Sequence, residues 1–234
     1  MYKKTELESY ASFSNILKIL KSDKNFNHFC TQHRVAKGTS MTIGNSRKVC
    51  YLLESGYLQQ RFIGEDGVSN YFINFPGEFV TLPIIEEHIP YETNFSFLSD
   101  AVWWEIDFEY LRGVLRTEDP KNFILLQFAV ESRYRLYTLA TMRKMDAEKR
   151  VIFTLLRLAR FGMRVKDDQR ELPLFTSYAV IADMSDTSKS YTTAVLAKLR
   201  KQDILVSQNA PWVIKKMGVL QDILGTDIEE KPPF

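Results

Sequence analysis

Apolar positions change their period along this chain. Over residues 5–22, Leu7, Tyr10, Phe13, Ile16, Leu17 and Leu20 recur at helical steps, which predicts an N-terminal helix. From about Arg34 to Ile106 short runs of β-formers take over: SMTI, VCYLLESGYLQQRFI, SNYFINF, EFVTL, TNFSFLS and AVWWEI. Turn signals stand between them at Lys37-Gly38, Gly44-Asn45, Glu65-Asp66-Gly67 and Pro76-Gly77. Short strands at a spacing of roughly ten residues, divided by Gly-bearing turns, predict an all-β barrel or roll. GEDGVS between LQQRFI and NYFINF predicts a hairpin, with Asp66-Gly67 supplying the positive-φ position.

Helical spacing returns at Phe108. FEYLRGVLR predicts a short helix. Asp119 is placed to cap the next one, with Pro120 at its first position, where a missing N–H costs nothing. That helix, PKNFILLQFAVESRYRLYTLATMRK, is long for a small domain and carries two apolar stripes. One holds Phe123, Leu126, Val130, Tyr134 and Tyr137; the other holds Leu125, Phe128, Leu136 and Leu139. One stripe can cover the roll, and the other then needs a partner. A second copy of the chain, meeting the stripe of Phe123, Leu126, Val130, Tyr134 and Tyr137, is the economical choice. The alternative is a central helix buried on both sides within one monomer.

DAEKRVIFTLLRLARFG begins a further region, with Asp146 as N-cap and Gly162 as the stop. The polar RVKDDQRE predicts a loop and LPLF a short strand. DILVSQNAPWVI reads as strand, turn and strand, with Asn209-Ala210-Pro211 at the tip. MGVLQDILG predicts a last helix, followed by an acidic, Pro-ended tail of disordered character.

Between LPLF and that hairpin lies SYAVIADMSDTSKSYTTAVLAKLRKQDIL. Val180, Ile181 and Met184 give a first helix its core face, and a tight turn at Asp186-Thr187 follows. Ser188 stands at the N-cap of a second helix. There Thr192, Val195, Leu196 and Leu199 fall at i, i+3, i+4 and i+7, which is one core face. The opposite face holds Lys189, Ser190, Thr193, Ala194 and Ala197, with Lys198 and Lys201 toward its edges, and no acid. Such a face suits a DNA groove. Lys189 can donate to guanine, Ser190 and Thr193 can bond either base type, and methyl groups can contact thymine. Ser177, Tyr178, Ser188, Lys198 and Lys201 are candidates for the phosphates. An indifferent helical hairpin with a solvated surface is the plain alternative.

Composition changes this picture little, and charge sharpens it. Hydrophobic residues are 45% and charged residues 26% of 234, ordinary for a globular chain, with a net charge of +2. Yet residues 144–216 hold 14 Lys/Arg against 8 Asp/Glu, whereas residues 217–234 hold one against four. The positive block contains the helical pair, as a phosphate-binding surface requires. Cys30 and Cys50 have neither zinc nor iron–sulfur spacing. No apolar run approaches the roughly 18 residues of a membrane span, and MYKKTELESY lacks a signal core. A cytoplasmic location, reduced thiols and no membrane partner are therefore expected. His28, His33 and His88 are scattered, and no nucleophile set, phosphate loop or metal spacing stands out. Glu86-Glu87 reads as a solvated pair in a loop, so no enzyme activity is expected.

Taken together, these segments resemble the CRP/FNR family of transcription regulators over nearly the whole chain. KGTSMTIG and YLLESGYLQQRFIGEDGVSNYFINFPGEF are similar to that family's β-roll. MDAEKRVIFTLLRLA looks like the start of its DNA-binding domain. The segment from Ser177 to Leu205 is similar to its helix–turn–helix without a gap. The resemblance implies an α+β chain: an N-terminal β-roll (cupin-like, of cyclic-nucleotide-binding-domain type) over 1–118, a long dimerisation helix over 119–145, and a C-terminal winged helix–turn–helix over 146–234. It implies a homodimer on a two-fold symmetric double-stranded DNA site, an unidentified small-molecule effector, and RNA polymerase as a partner if the protein activates. The effector pocket is expected near Leu82, Tyr91 and Glu92, with Arg135 from the long helix.

Departures narrow these expectations. Cyclic-AMP binders of the family carry Gly-Glu-Leu and Arg-Ser in the phosphate cassette. Here Thr81 and Leu82 stand where Gly-Glu would, and Tyr91-Glu92 near where Arg-Ser would. A cyclic phosphate would lose its bidentate Arg and face a carboxylate, so no cyclic AMP is expected. Neither haem nor an iron–sulfur cluster is expected either. Ala194 stands where many members place a groove-facing Arg, so the target site should be its own. A competing reading is a ligand-sensing or protein-interaction module whose helix–turn–helix no longer binds DNA.

Overall fold

The computed structural model describes residues 3–43, 48–64, 69–82 and 91–225. The chain divides into two compact units, Met1–Arg133 and Tyr134–Phe234. The division falls inside the long helix, not at either of its ends.

In the first unit the expected N-terminal helix is two, α1 (Lys4–Tyr10) and α2 (Phe13–Ser22). Ser12 breaks it: its backbone is extended and its hydroxyl donates back to the Ser9 carbonyl at 2.8 Å. After the short α3 (Phe26–Phe29), the first strand, β1 (Cys30–Val35), starts four residues before Arg34. The remaining strands are β2 (Ser40–Ile43), β3 (Val49–Ser55), β4 (Leu58–Gly64), β5 (Ser69–Asn74), β6 (Phe79–Thr81), β7 (Tyr91–Phe97) and β8 (Ala101–Asp107). They form two four-stranded antiparallel sheets, ordered β1-β8-β3-β6 and β2-β7-β4-β5. β4 and β5 pair from Leu58↔Asn74 to Ile63↔Ser69, as the predicted hairpin requires. Its tip at Glu65-Asp66-Gly67 lies outside the described residues, as do Gly44-Asn45 and Glu86-Glu87.

Gly56 divides the VCYLLESGYLQQRFI run. It has φ +88°, and a Cβ there would lie 2.4 Å from the Asp100 carbonyl oxygen. Only glycine fits both the backbone and that approach.

Two apolar clusters explain why β3 reads as a run instead of an alternation. Leu53, Leu58, Val80, Phe95, Phe97, Ala101 and Trp103 fill one cluster. Cys50, Leu52, Phe79 and Ile106 pack in the other with Ile16 and Leu20 of α2, and with Leu111, Val114 and Leu115 of α4 (Phe108–Glu118). β3 and β8 thus supply both clusters, and their sheet is covered on both faces. Full burial on both faces selects continuous apolar runs.

The long helix, α5, spans Phe123–Arg143, three residues short of the predicted start. Asn122 has φ +57°, and the Asp119 carboxylate, almost fully buried, accepts from the Phe123 and Ile124 amides at 2.9 Å each. Asp119 caps as expected, but across a turn, so Pro120 lies before the helix.

In the second unit α6 (Ala147–Ala159) is capped by Asp146, which accepts from the Lys149 amide at 2.8 Å. The predicted loop RVKDDQRE is a hairpin, β9 (Arg164–Lys166) and β10 (Gln169–Glu171). LPLF is not a strand; Leu172 and Phe175 are buried in a turn. Gly162 is required less as a helix stop than for closeness, because a Cβ would sit 1.6 Å from the Glu171 carbonyl oxygen. α7 (Tyr178–Ser185) and α8 (Lys189–Lys201) follow. β11 (Leu205–Val206) and β12 (Val213–Ile214) form the expected hairpin and extend the sheet to β11-β12-β10-β9. α9 (Met217–Leu224) closes the unit.

Candidate nucleic-acid interface

The helix pair is set by its hydroxyls. Ser177 caps α7, accepting from the Val180 amide at 3.3 Å, and Ser188 caps α8, accepting from the Tyr191 amide at 3.2 Å. Asp186 ends α7 in the left-handed region, with φ +49°, a conformation that Asp tolerates better than most residues. Between the helices runs a ladder. Ser185 donates to the Ile181 carbonyl at 2.7 Å and meets Thr187 Oγ1 at 2.8 Å, and Thr187 meets Thr192 Oγ1 at 2.7 Å. Thr192 and Ser185 are fully buried, so each hydroxyl needs such a partner.

Arg150 on α6 locks the same turn. Its guanidinium donates to the Ser185 carbonyl at 2.8 Å, the Asp186 carbonyl at 2.9 Å and the Met145 carbonyl at 3.2 Å. Sequence reading missed this residue; nothing in local spacing announces a contact 35 residues away.

On α8, Thr192, Val195, Leu196 and Leu199 are buried as predicted. Lys189, Ser190, Thr193 and Ala194 are exposed and Ala197 is half-buried. By the helical period, Ser190, Thr193, Ala194, Ala197 and Lys201 lie opposite the core residues, while Lys189 and Tyr191 occupy the two flanks. Ser190 Oγ and Ser188 Oγ share a hydrogen bond of 3.0 Å, and Thr193 Oγ1 donates to the Lys189 carbonyl at 2.8 Å.

The structure engages two of the phosphate candidates elsewhere. Lys198 pairs with Glu148 at 2.6 Å, and that hydrogen bond and charge raise its pKa. Its ammonium meets a carboxylate before any phosphate. The Tyr178 hydroxyl accepts from Arg200, which also donates to Ser207 Oγ at 3.0 Å, and the Tyr178 ring packs edge-on against Trp212 at 5.1 Å. Ser177 and Ser188 are caps, and Lys201 is exposed.

Of the predicted dimer stripe, Leu126 and Tyr137 are exposed. Phe123 is buried in the first unit, its ring edge-on to Tyr10 at 5.1 Å. Val130 and Tyr134 are half-buried, and the Tyr134 hydroxyl accepts from Arg160 at 3.2 Å. The exposed side of α5 holds Leu126, Ala129, Arg133, Leu136, Tyr137 and Ala140. It lies between the two predicted stripes and takes members from each. Capping by Asp119 turns Phe123 and Ile124 inward, and that sets the helix's rotation.

Of the expected effector residues, the structure describes the side chains of Leu82 and Arg135. Leu82 belongs to the cluster of α2 and α4. Tyr91 and Glu92 lie on β7, with side chains outside the described residues. Arg135 is in the second unit, near Arg157, whose guanidinium burial pulls down in pKa. Inside the roll the structure also shows Gln60. It shares a face of β4 with fully buried Leu58, stands opposite Phe95, and its Oε1 has no hydrogen-bond partner. Its signal in the sequence was faint: a polar residue at a core position of LQQRF.

His88 lies outside the described residues. Among the described residues no group of three His, Cys, Asp or Glu is placed to hold a metal, and no helix is long and apolar enough to cross a membrane.

A two-sheet roll, a long helix and a winged helix–turn–helix define a class of architecture, and solved structures share it. A cyclic nucleotide-binding domain containing protein from Listeria monocytogenes EGD-e is 18% identical, with a TM-score of 0.72 over 87% of this chain and 97% of that one. A transcriptional regulator of the CRP family from Thermus thermophilus is 18% identical, with a TM-score of 0.66 over 85% and 100%. The c-di-GMP responsive global regulator CLP of Xanthomonas campestris is 19% identical, with a TM-score of 0.65 over 87% and 99%. No protein-family model and no curated protein matches the sequence. At these identities the likeness establishes the fold, that of CRP/FNR-type regulators.

Proposed function

We propose that this chain is a sequence-specific DNA-binding transcription regulator acting as a homodimer. The observation that carries the reading is α8: a helix capped by Ser188, locked by Arg150 and the hydroxyl ladder, with an exposed face free of acids. Its N-terminal amides and Lys189 favour phosphate or guanine, and its small side chains allow close approach to base edges. The exposed side of α5 is the surface for a second copy, and two copies would present two recognition helices to a two-fold symmetric site. The roll holds a small-molecule effector on this reading, supported by the unpartnered Gln60 Oε1 in its interior. Thr81 and Leu82 in place of the cyclic-phosphate residues leave cyclic AMP outside the proposal.

The test is a mobility shift with the full chain and a pool of randomised duplexes, over a salt series. Selected duplexes should carry two inverted half-sites, and affinity should fall steeply with salt. Lys189→Ala should lose about 1–3 kcal/mol at one base pair. A folded dimer that retains no duplex at low salt would overturn the proposal and favour a sensing or protein-interaction module.

A further inference from the structure

The groove-facing side of α8 carries information about which bases it reads. The site is defined by its helix–turn–helix frame; the chemistry of its surface then limits the partner. Each base presents its own major-groove pattern: two acceptors on guanine, a donor on cytosine, a donor and an acceptor on adenine, and an acceptor beside a methyl group on thymine. Guanine is best read by bidentate Arg or Lys, adenine by Asn or Gln, and cytosine by a carboxylate. α8 exposes no Arg, Asn, Gln, Asp or Glu, and its exposed lysines are Lys189 at the flank, Lys198 held by Glu148, and Lys201 at the C-terminal end. Its one arginine, Arg200, is half-buried and donates to Tyr178 and Ser207.

Between Ser190 and Lys201 the outward side of the helix presents methyl groups. Thr193 commits its hydroxyl to the Lys189 carbonyl, which leaves its γ-methyl to meet a base. Ala194 follows it on the same side, and Ala197 lies one turn on. Ser190 Oγ is tied to Ser188 Oγ, the atom that caps the helix. Lys189, the one cation of the first turn, stands at the flank. A surface of three methyl groups that lets the helix backbone come close is complementary to thymine, whose 5-methyl is the apolar feature of the groove.

We infer that α8 recognises a thymine-rich half-site through the thymine 5-methyl groups, using the methyl groups of Thr193, Ala194 and Ala197. The inference rests on the DNA-binding reading above and adds the class of sequence bound.

Deoxyuridine tests it, because it differs from thymidine only in lacking that methyl. Duplexes selected by the full chain are resynthesised with deoxyuridine at each half-site thymine in turn. Affinity should fall about fourfold for each contacted methyl removed, the value of burying one such group. Thr193→Val keeps the γ-methyl and should keep the preference for thymidine over deoxyuridine. Thr193→Ser keeps the hydroxyl and should lose that preference at one position. Fully deoxyuridine-substituted half-sites bound as tightly as the parent would overturn the thymine readout while leaving DNA binding intact, as would selection of half-sites without thymine. Failure to retain any duplex at low salt would instead overturn the DNA-binding reading, and this inference with it.

Discussion

Single residues carry most of the local chemistry of this chain, and the two cysteines show what burial does to it. Cys30 and Cys50 both stand opposite Ile106, on either side of β8. Two strand spacings separate them by roughly 9–10 Å, beyond disulfide reach. Burial is the main cause that pushes the Cys30 thiol from 9.0 up to about 12, and Cys50 moves up further for the same reason. A raised thiol pKa means that the folded chain keeps protons which the unfolded chain gives up above about pH 9. Stability from this source is present below about pH 9 and declines as pH rises toward about 12. Alkylation by iodoacetamide at about pH 8 should therefore be slow in the native protein and rapid in denaturant, read by intact mass. Fast native labelling of both thiols would contradict this account. The hydroxyls of the helix–turn–helix make a related point. Six Ser and Thr residues close together look alike in sequence, yet they divide into a buried ladder (Ser185, Thr187 and Thr192), a cap (Ser188) and two exposed groups (Ser190 and Thr193).

Among the elements, α5 shows how far periodicity reaches. Its repeat was legible, because a 3.6-residue period needs only neighbours three and four apart. Its rotation was not, because both stripes are apolar and either could turn inward. Asp119 and Asn122 decide the matter at the helix start, and the outward side becomes Leu126, Ala129, Arg133, Leu136, Tyr137 and Ala140. Leu136 is 66% exposed, an unusual state for a leucine at the middle of a long helix. Leu136→Glu should convert the proposed dimer to monomer without unfolding the chain, seen as a halved mass by sedimentation with an unchanged circular dichroism spectrum. A dimer that persists in this variant would place the interface elsewhere. The hairpin of β9 and β10 was hidden for a different reason. Apart from the exposed Val165 its residues are polar, so alternation gives no signal, and it pairs as a strand through β12, over 40 residues on.

For the whole molecule, the proposed two-fold dimer makes a prediction about DNA that neither unit makes alone. Two copies of α8 should read half-sites whose centres are about 34–36 Å apart, roughly one helical turn. Inserting about five base pairs between the half-sites turns one to the opposite side of the duplex and should lower affinity to that of a single half-site, measured by competition. Equal affinity for both spacings would argue against a symmetric dimer. The sequence by itself determined the caps at Asp146 and Ser188, the inward face of α8 and the exposed Lys189, Ser190 and Thr193. All of these depend on residues within about a turn of one another. Only the tertiary structure decided the outward side of α5, the place of Gln60 in the roll, the hold of Arg150 on the recognition turn, and the pairing of Lys198 with Glu148 and of Arg200 with Tyr178. Those pairs join residues 22 to 50 positions apart. Packing alone brings such residues together, and no local period encodes it.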